Sequence, residues 1–95
     1  MIKIVAKCIA KESKLEEFIK LAKELVIESR KEPGNLTYHF YQSRDKKNVL
    51  TFIEEWKDKE ATEIHAASEH FTRIFTQLGE LSEEPSIIDF YDELI

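Results

Sequence analysis

The stretch Glu54-Glu55-Trp56-Lys57-Asp58-Lys59-Glu60-Ala61-Thr62-Glu63-Ile64-His65 decides how this chain folds. It reads as a strand ending at Trp56, a short turn, and a helix whose first amides are capped by the Asp58 carboxylate. Beyond the cap, Ala61, Ile64, Ser68, Phe71 and Phe75 recur at three- and four-residue spacing, the period of a buried stripe, and His65 shares that face. A titratable imidazole on an apolar helix face, near the chain's only tryptophan, is where a small pocket is expected. The competing explanation is a hydrogen-bonded core histidine, the commoner fate of an inward imidazole.

Upstream, Asn48 to Trp56 alternates as a strand, and Leu36 to Ser43 is an aromatic-rich partner. The polar Arg44-Asp45-Lys46-Lys47 between them makes a hairpin turn. Met1 to Ile9 is a further strand, with Ile2, Ile4, Ala6 and Cys8 on one side. Ser13 opens a long helix, with Glu16 completing a capping box. Its stripe is Leu15, Phe18, Ile19, Ala22, Leu25, Val26 and Ser29; Leu21 lies on the shoulder, Ile27 points elsewhere, and Pro33-Gly34 stops the helix. Downstream, the helical pattern runs from Asp58 to Leu78, with Ser68 as a candidate break and cap and Gly79 as the end. Pro85 to Tyr91 reads as the last strand. The order β-α-β-β-α-β predicts a ferredoxin-like α+β fold, an antiparallel sheet with the helices on one face, as one domain over residues 1–95.

A chain of 95 residues supports a single core and buries about 60–65% of its unfolded surface, so oligomerisation is a common remedy. The net charge of −5, without a basic cluster, argues against nucleic acid. No apolar run is long enough to cross a bilayer and the N-terminus lacks a signal-peptide pattern, so the expectation is no membrane and a cytoplasmic location. Cys8 is the only cysteine, which excludes an intrachain disulfide and a cysteine metal site and leaves a small buried hydrophobe. The strands are apolar on both sides: Leu36, Tyr38 and Phe40 oppose His39 and Tyr41, and Ile87 and Tyr91 oppose Ile88 and Phe90. One sheet face is left uncovered by helices, so a homodimer through that face is expected.

The chain resembles the antibiotic biosynthesis monooxygenase family and its small quinol-monooxygenase-like members. The resemblance is carried by Glu32-Pro33-Gly34, Tyr38-His39-Phe40-Tyr41-Gln42, Phe52 to Asp58 with Ala61, and His65-Ala66-Ala67-Ser68-Glu69-His70-Phe71. It implies a ferredoxin-like domain forming a dimeric barrel. It also implies a pocket between sheet and helices, and oxidation of a small aromatic phenol or quinol-like molecule by dioxygen with no metal or flavin cofactor. Such chemistry needs apolar walls for a planar ring and a base near neutral pKa. His65 suits the base, with Trp56 and Glu54 as its catalytic neighbours. Tyr38, Phe52 and Phe71 suit the substrate walls, and His70 is a second-tier substrate-binding candidate brought in by the family motif. Haem-degrading relatives pair the strand tryptophan with a first-strand asparagine; Lys7 and Cys8 stand there, so haem is not expected.

Each assignment has a plainer counterpart. Only one of Glu54 and Glu55 can face inward, and a strand-end glutamate is usually solvated. Tyr38 and Phe52 can be simple packing. On an unbroken helix His70 points to water, while His39 falls on the dimer side of its strand. A His65/His70 metal pair is disfavoured by its five-residue spacing and the lack of an evident third ligand. Two other functions use the same residues: an isomerase of a small phosphorylated sugar or ketone, which needs a pocket Lys or Arg, and a non-enzymatic dimeric small-ligand-binding module.

Overall fold

The computed structural model describes the whole chain, Met1 to Ile95. Strand β1 (Ile2–Ile9) leads through a 3-10 turn (Glu12–Lys14) to helix α1 (Leu15–Ser29). There follow β2 (Asn35–Gln42), β3 (Val49–Trp56), α2 (Lys59–Ala67), α3 (Glu69–Glu80) and β4 (Ile87–Asp92). The strands form one antiparallel sheet in the order β2-β3-β1-β4, the ferredoxin-like arrangement.

Two-residue alternation sets what the sheet offers to the helices. Ile4, Ala6 and Cys8 of β1 pair with Glu54, Phe52 and Leu50 of β3, and all six are buried. β2 adds Tyr38 opposite Glu54 and Phe40 opposite Phe52. Phe18, Ala22, Leu25 and Val26 of α1 and Ile74 and Leu78 of α3 close over this face and complete the core. Each large side chain taken fully from water contributes roughly 1.5–3 kcal/mol. The opposite face carries half-buried Val5, Val49 and Ile53 with exposed Tyr41, Ile87 and Tyr91. The uncovered face is therefore mixed, because Lys3, Lys7, Glu55 and Asp89 alternate there with these apolar side chains.

The break at Ser68 is the local feature that matters most for the site. Its backbone is extended (φ −68°, ψ 152°), its hydroxyl donates to the His65 carbonyl at 2.7 Å, and the same oxygen accepts from the Phe71 amide at 3.2 Å. Asp58 caps α2 as expected, accepting from the Ala61 amide at 2.8 Å. Because the break resets the helical phase, the single stripe divides. Helix α2 buries Ala61, Thr62 and His65, and Ile64 turns outward at 58% exposure, contrary to its expected place on the stripe.

Other local expectations also need correction. Ser13 lies inside the 3-10 turn, where it cannot take the extended backbone of a cap, and no side chain caps α1. Gly79 sits within the last turn of α3, which runs on to Glu80 with no positive φ. A bulge between Asn35 and Thr37 turns Leu36 out to solvent, and Ile19 is left at the exposed edge of the α1 stripe. Cys8 is buried as expected, and burial pushes its thiol up to about 11, which leaves it unreactive. No helix is long and apolar enough to cross a membrane.

The loop after α1 packs tightly on α2. A Cβ added at Gly34 would overlap the Ala61 Cβ, so only glycine permits this approach. The Gly34 carbonyl also accepts from the Lys57 amide at 3.0 Å. The contact brings Glu32, two residues earlier, to the inner side of α2.

Candidate active site

Four polar side chains are buried among the apolar core: Ser29, Glu54, Thr62 and His65. Glu54 and Trp56 lie two apart on β3 and so share a face. The Trp56 indole N–H donates to Glu54 Oε1 at 2.9 Å. His65, on the inner side of α2, packs on Trp56 with ring centroids 4.5 Å apart at 35°. Phe71 at 4.8 Å and Tyr38 at 5.6 Å bound the same imidazole.

The two imidazole nitrogens have different surroundings. His65 Nδ1 lies 2.7 Å from Glu32 Oε2, and a carboxylate only accepts, so Nδ1 carries the proton. Nε2 is then the lone-pair nitrogen. It is buried, has no hydrogen-bond partner, and lies 4.0 Å from Glu54 Oε1. That gap is too long for a direct hydrogen bond. An oxygen atom about 2.8 Å from each side can span it.

A cavity of about 230 Å³ opens beside this pair. Glu54, Thr62 and His65 supply its polar lining, and Ile4, Ala6, Ala66, Phe71, Phe75, Ile88 and Phe90 the remainder. No Lys or Arg lines it. The register between β1 and β4 builds one wall, since Ile4 pairs with Phe90 and Ala6 with Ile88.

Burial governs the charges here. It lowers the His65 pKa below the ordinary imidazole value, with the Glu32 carboxylate opposing the shift. It raises Glu54 to about 7, helped by the negative charge of Glu32 and opposed by the polar contacts with Trp56 and Tyr38. The Tyr38 hydroxyl is pushed far above its usual range, first by burial and then by Glu54 beside it, so it stays neutral. Burial thus favours the neutral form of both groups: the imidazole resists protonation, and the Glu54 carboxyl stays mostly protonated only below about pH 7.

The sequence profile described as antibiotic biosynthesis monooxygenase matches residues 1–77. The chain belongs to the antibiotic biosynthesis monooxygenase family. A relative is YcnE of Bacillus subtilis, a provisionally named monooxygenase, 34% identical over 85 residues that cover 90% of each chain. A protein of Synechocystis sp. without an assigned activity is 32% identical over 81 residues, 85% of this chain; the match spans 55% of that longer protein. A crystal structure of an antibiotic biosynthesis monooxygenase superposes with a TM-score of 0.96 at 30% identity, covering all of both chains.

The residues that carry the antibiotic biosynthesis monooxygenase resemblance converge on this region in distinct positions. His65, Glu54 and Phe71 line the cavity. Glu54 is the inward one of the glutamate pair at 4% exposure; Glu55 faces the other way, accepting from Thr37 at 2.9 Å and lying 3.8 Å from Lys3. Trp56 does not line the cavity but lies behind His65 and holds Glu54. Tyr38 and Phe52, expected as substrate walls, are core residues behind the same layer. His70, expected to point to water on an unbroken helix, is turned inward by the Ser68 break, and its Nε2 lies 2.8 Å from Glu32 Oε2. His39 is on the uncovered face, 3.3 Å from Arg30.

Glu32 is the residue that sequence reasoning left without a role. It stands in the Glu-Pro-Gly motif, but only the fold shows that the motif lies under α2. The β4 wall was equally hidden, because Ile88 and Phe90 acquire meaning through the β1–β4 register. Glu32 also supplies the third donor that the two histidines lacked for a metal: the three ligand atoms lie within 4.8 Å of one another. Their 2.7 and 2.8 Å separations are hydrogen-bond distances to one shared oxygen, which use the lone pairs an ion would need. An ion at about 2.0–2.1 Å from each ligand spreads them further apart.

Proposed function

We propose that this protein is a monooxygenase that oxidises a small phenol or quinol-like ring with dioxygen. His65 takes the phenolic proton and Glu54 supports the same oxygen. One observation carries the reading: a buried, unpartnered His65 Nε2 lies 4.0 Å from a buried carboxyl at the polar side of an otherwise apolar cavity. A hydroxyl bridging the two donates to Nε2 and accepts from protonated Glu54. Its ring then lies against Phe71, Phe75 and Phe90. Deprotonation makes the ring electron-rich enough to react with dioxygen. For a phenol with a free para position the balance is complete without an external reductant: phenol and dioxygen give the para-quinone and water.

The cavity's size narrows the substrate. Its 230 Å³ lies above the about 150 Å³ that accepts a benzene ring and below the about 300–1,000 Å³ of drug-sized pockets. One ring or a compact bicyclic system fits that interval. The lack of Lys or Arg on the lining disfavours the phosphorylated sugar or ketone.

The test is oxygen uptake with simple phenols and naphthols, followed across pH. The expected kcat/KM profile is a bell. Its acid limb lies below pH 6.5, roughly, because His65 must be neutral and its pKa is lowered. Its alkaline limb lies near 7, where Glu54 loses its proton. Glu54→Gln keeps a donor that cannot titrate and removes the alkaline limb. Binding of phenols without oxygen uptake would favour the non-enzymatic ligand-binding module instead.

We also propose that the uncovered sheet face binds a second copy of the chain. Val5, Val49, Ile53, Tyr41, Ile87 and Tyr91 supply its apolar area and Lys3, Lys7, Glu55 and Asp89 its charges, a mixture that a second copy of the same face can cover. Sedimentation should report a dimer that Ile53→Glu converts to monomer. A monomeric parent protein would remove this proposal.

A further inference from the structure

Glu32 lies between two imidazoles: its Oε2 is 2.7 Å from His65 Nδ1 and 2.8 Å from His70 Nε2. The three side chains come from separate elements. Glu32 is on the loop after α1, His65 on α2, and His70 on α3 past the Ser68 break. Two chain features bring them together. Gly34 lets the loop approach Ala61, and the extended backbone of Ser68 turns His70 inward. All three are shielded, with side-chain exposures of 11% for Glu32, 4% for His65 and 17% for His70.

We infer that Glu32 is a positioning residue that makes His65 a base toward the cavity, and that His70 keeps Glu32 in place. A neutral imidazole has one proton to place, and the partner of one nitrogen decides which nitrogen carries it. A carboxylate at Nδ1 fixes the proton there and leaves the buried Nε2 lone pair on the Glu54 side of the ring. With Nδ1 free, the proton can reside on Nε2, where Glu54 Oε1 at 4.0 Å would attract it, and the base would be lost. Glu32 also stabilises the imidazolium formed when Nε2 accepts a proton, as an orienting carboxylate does in other base-assisted sites. A single hydrogen bond leaves a glutamate free to swing about its own torsions. The second bond, from His70, fixes the acceptor on the His65 side.

This inference rests on the base role proposed for His65, but its first test needs no turnover. Histidine 15N resonances distinguish the two neutral tautomers. The native protein near pH 7.5 is expected to show His65 protonated at Nδ1 alone. In Glu32→Gln the neutral amide can accept from or donate to Nδ1, so a mixture of tautomers is expected. His70→Ala, altering a residue nearer the surface, is expected to broaden or mix the same signals while the chain stays folded. In oxygen-uptake assays Glu32→Gln should lower kcat by about 10²–10⁴-fold with KM nearly unchanged, because Glu32 does not line the cavity. Glu32→Asp should recover part of the loss.

A native His65 protonated at Nε2, or an unchanged tautomer in both Glu32→Gln and His70→Ala, would overturn the inference. The expected tautomer pattern without oxidation of any phenol would support the positioning role and remove the monooxygenase reading.

Discussion

His65→Ala is expected to lower kcat for phenol oxidation by about 10²–10⁴-fold, the usual contribution of a positioned general base. The substitution removes the only imidazole among the residues that line the cavity. The remaining titratable group there, Glu54, is held near neutral pKa by burial and sits on the other side of the gap. It already accepts the Trp56 indole proton, so it is not placed to substitute for the imidazole. Because His65 also packs on Trp56, a stability control is needed, and His65→Gln supplies it by filling most of the space without a comparable base. Equal loss in both variants, at unchanged melting temperature for His65→Gln, would assign the effect to proton transfer. Activity within a few-fold of the parent protein in either variant would remove His65 from the chemistry.

The largest structural effect is expected from Trp56→Ala. Trp56 is fully buried and joins β3 to the site layer through Tyr38 and His65. Truncating such a side chain costs about 3–5 kcal/mol. In a domain of this size that lowers Tm by roughly 12–40 °C. Trp56→Phe separates packing from hydrogen bonding. It retains an aromatic surface for His65 but withdraws the donor from Glu54 Oε1, leaving a buried acceptor unpartnered at a cost of about 1–3 kcal/mol. The sign of the accompanying pKa change is fixed. The indole contact favours the ionised carboxylate and holds the Glu54 pKa down, so its removal moves the alkaline limb of the activity profile upward. Thermal unfolding and the pH profile read the two consequences separately. A downward movement of the limb would contradict this account of Glu54.

Much of the fold was legible because its signals are periodic and local. Alternation in β1 and β3, the polar hairpin turn and the Asp58 cap all appear in the structure where the sequence places them. The Ser68 break was legible as well, because a serine stands where its side chain can cap a second helical segment. Its consequence for phase was not. A helical stripe drawn straight through residue 68 puts Ile64 inside and His70 outside, and the extended backbone there reverses both. The capping box at Ser13 failed for a related reason, since the tight turn leaving β1 takes the serine into 3-10 geometry.

The site divides along the same line. His65 drew notice as a titratable residue on an apolar face and Glu54 as the glutamate on Trp56's side of the strand, and the fold brings both to the cavity. The aromatic residues near them were harder to place: alternation puts Tyr38, Phe52 and Trp56 on the helix-covered face but does not say which touch a cavity and which lie behind it. Glu32 escaped notice because its partner on α2 is 33 positions away, beyond the reach of any local pattern. It becomes recognisable only when the Gly34–Ala61 approach is seen in three dimensions.

In the proposed reaction a phenol bound at the His65–Glu54 gap gives its proton to His65. An anaerobic titration with a chromogenic phenol such as 4-nitrophenol tests this without dependence on oxygen chemistry, because the absorbance of the bound ring reports its ionisation directly. Below the phenol's own pKa the native protein should bind it as the phenolate, and His65→Gln should bind it as the neutral phenol. Binding in the neutral form by both proteins, or a phenolate signal that survives the loss of His65, would contradict the account.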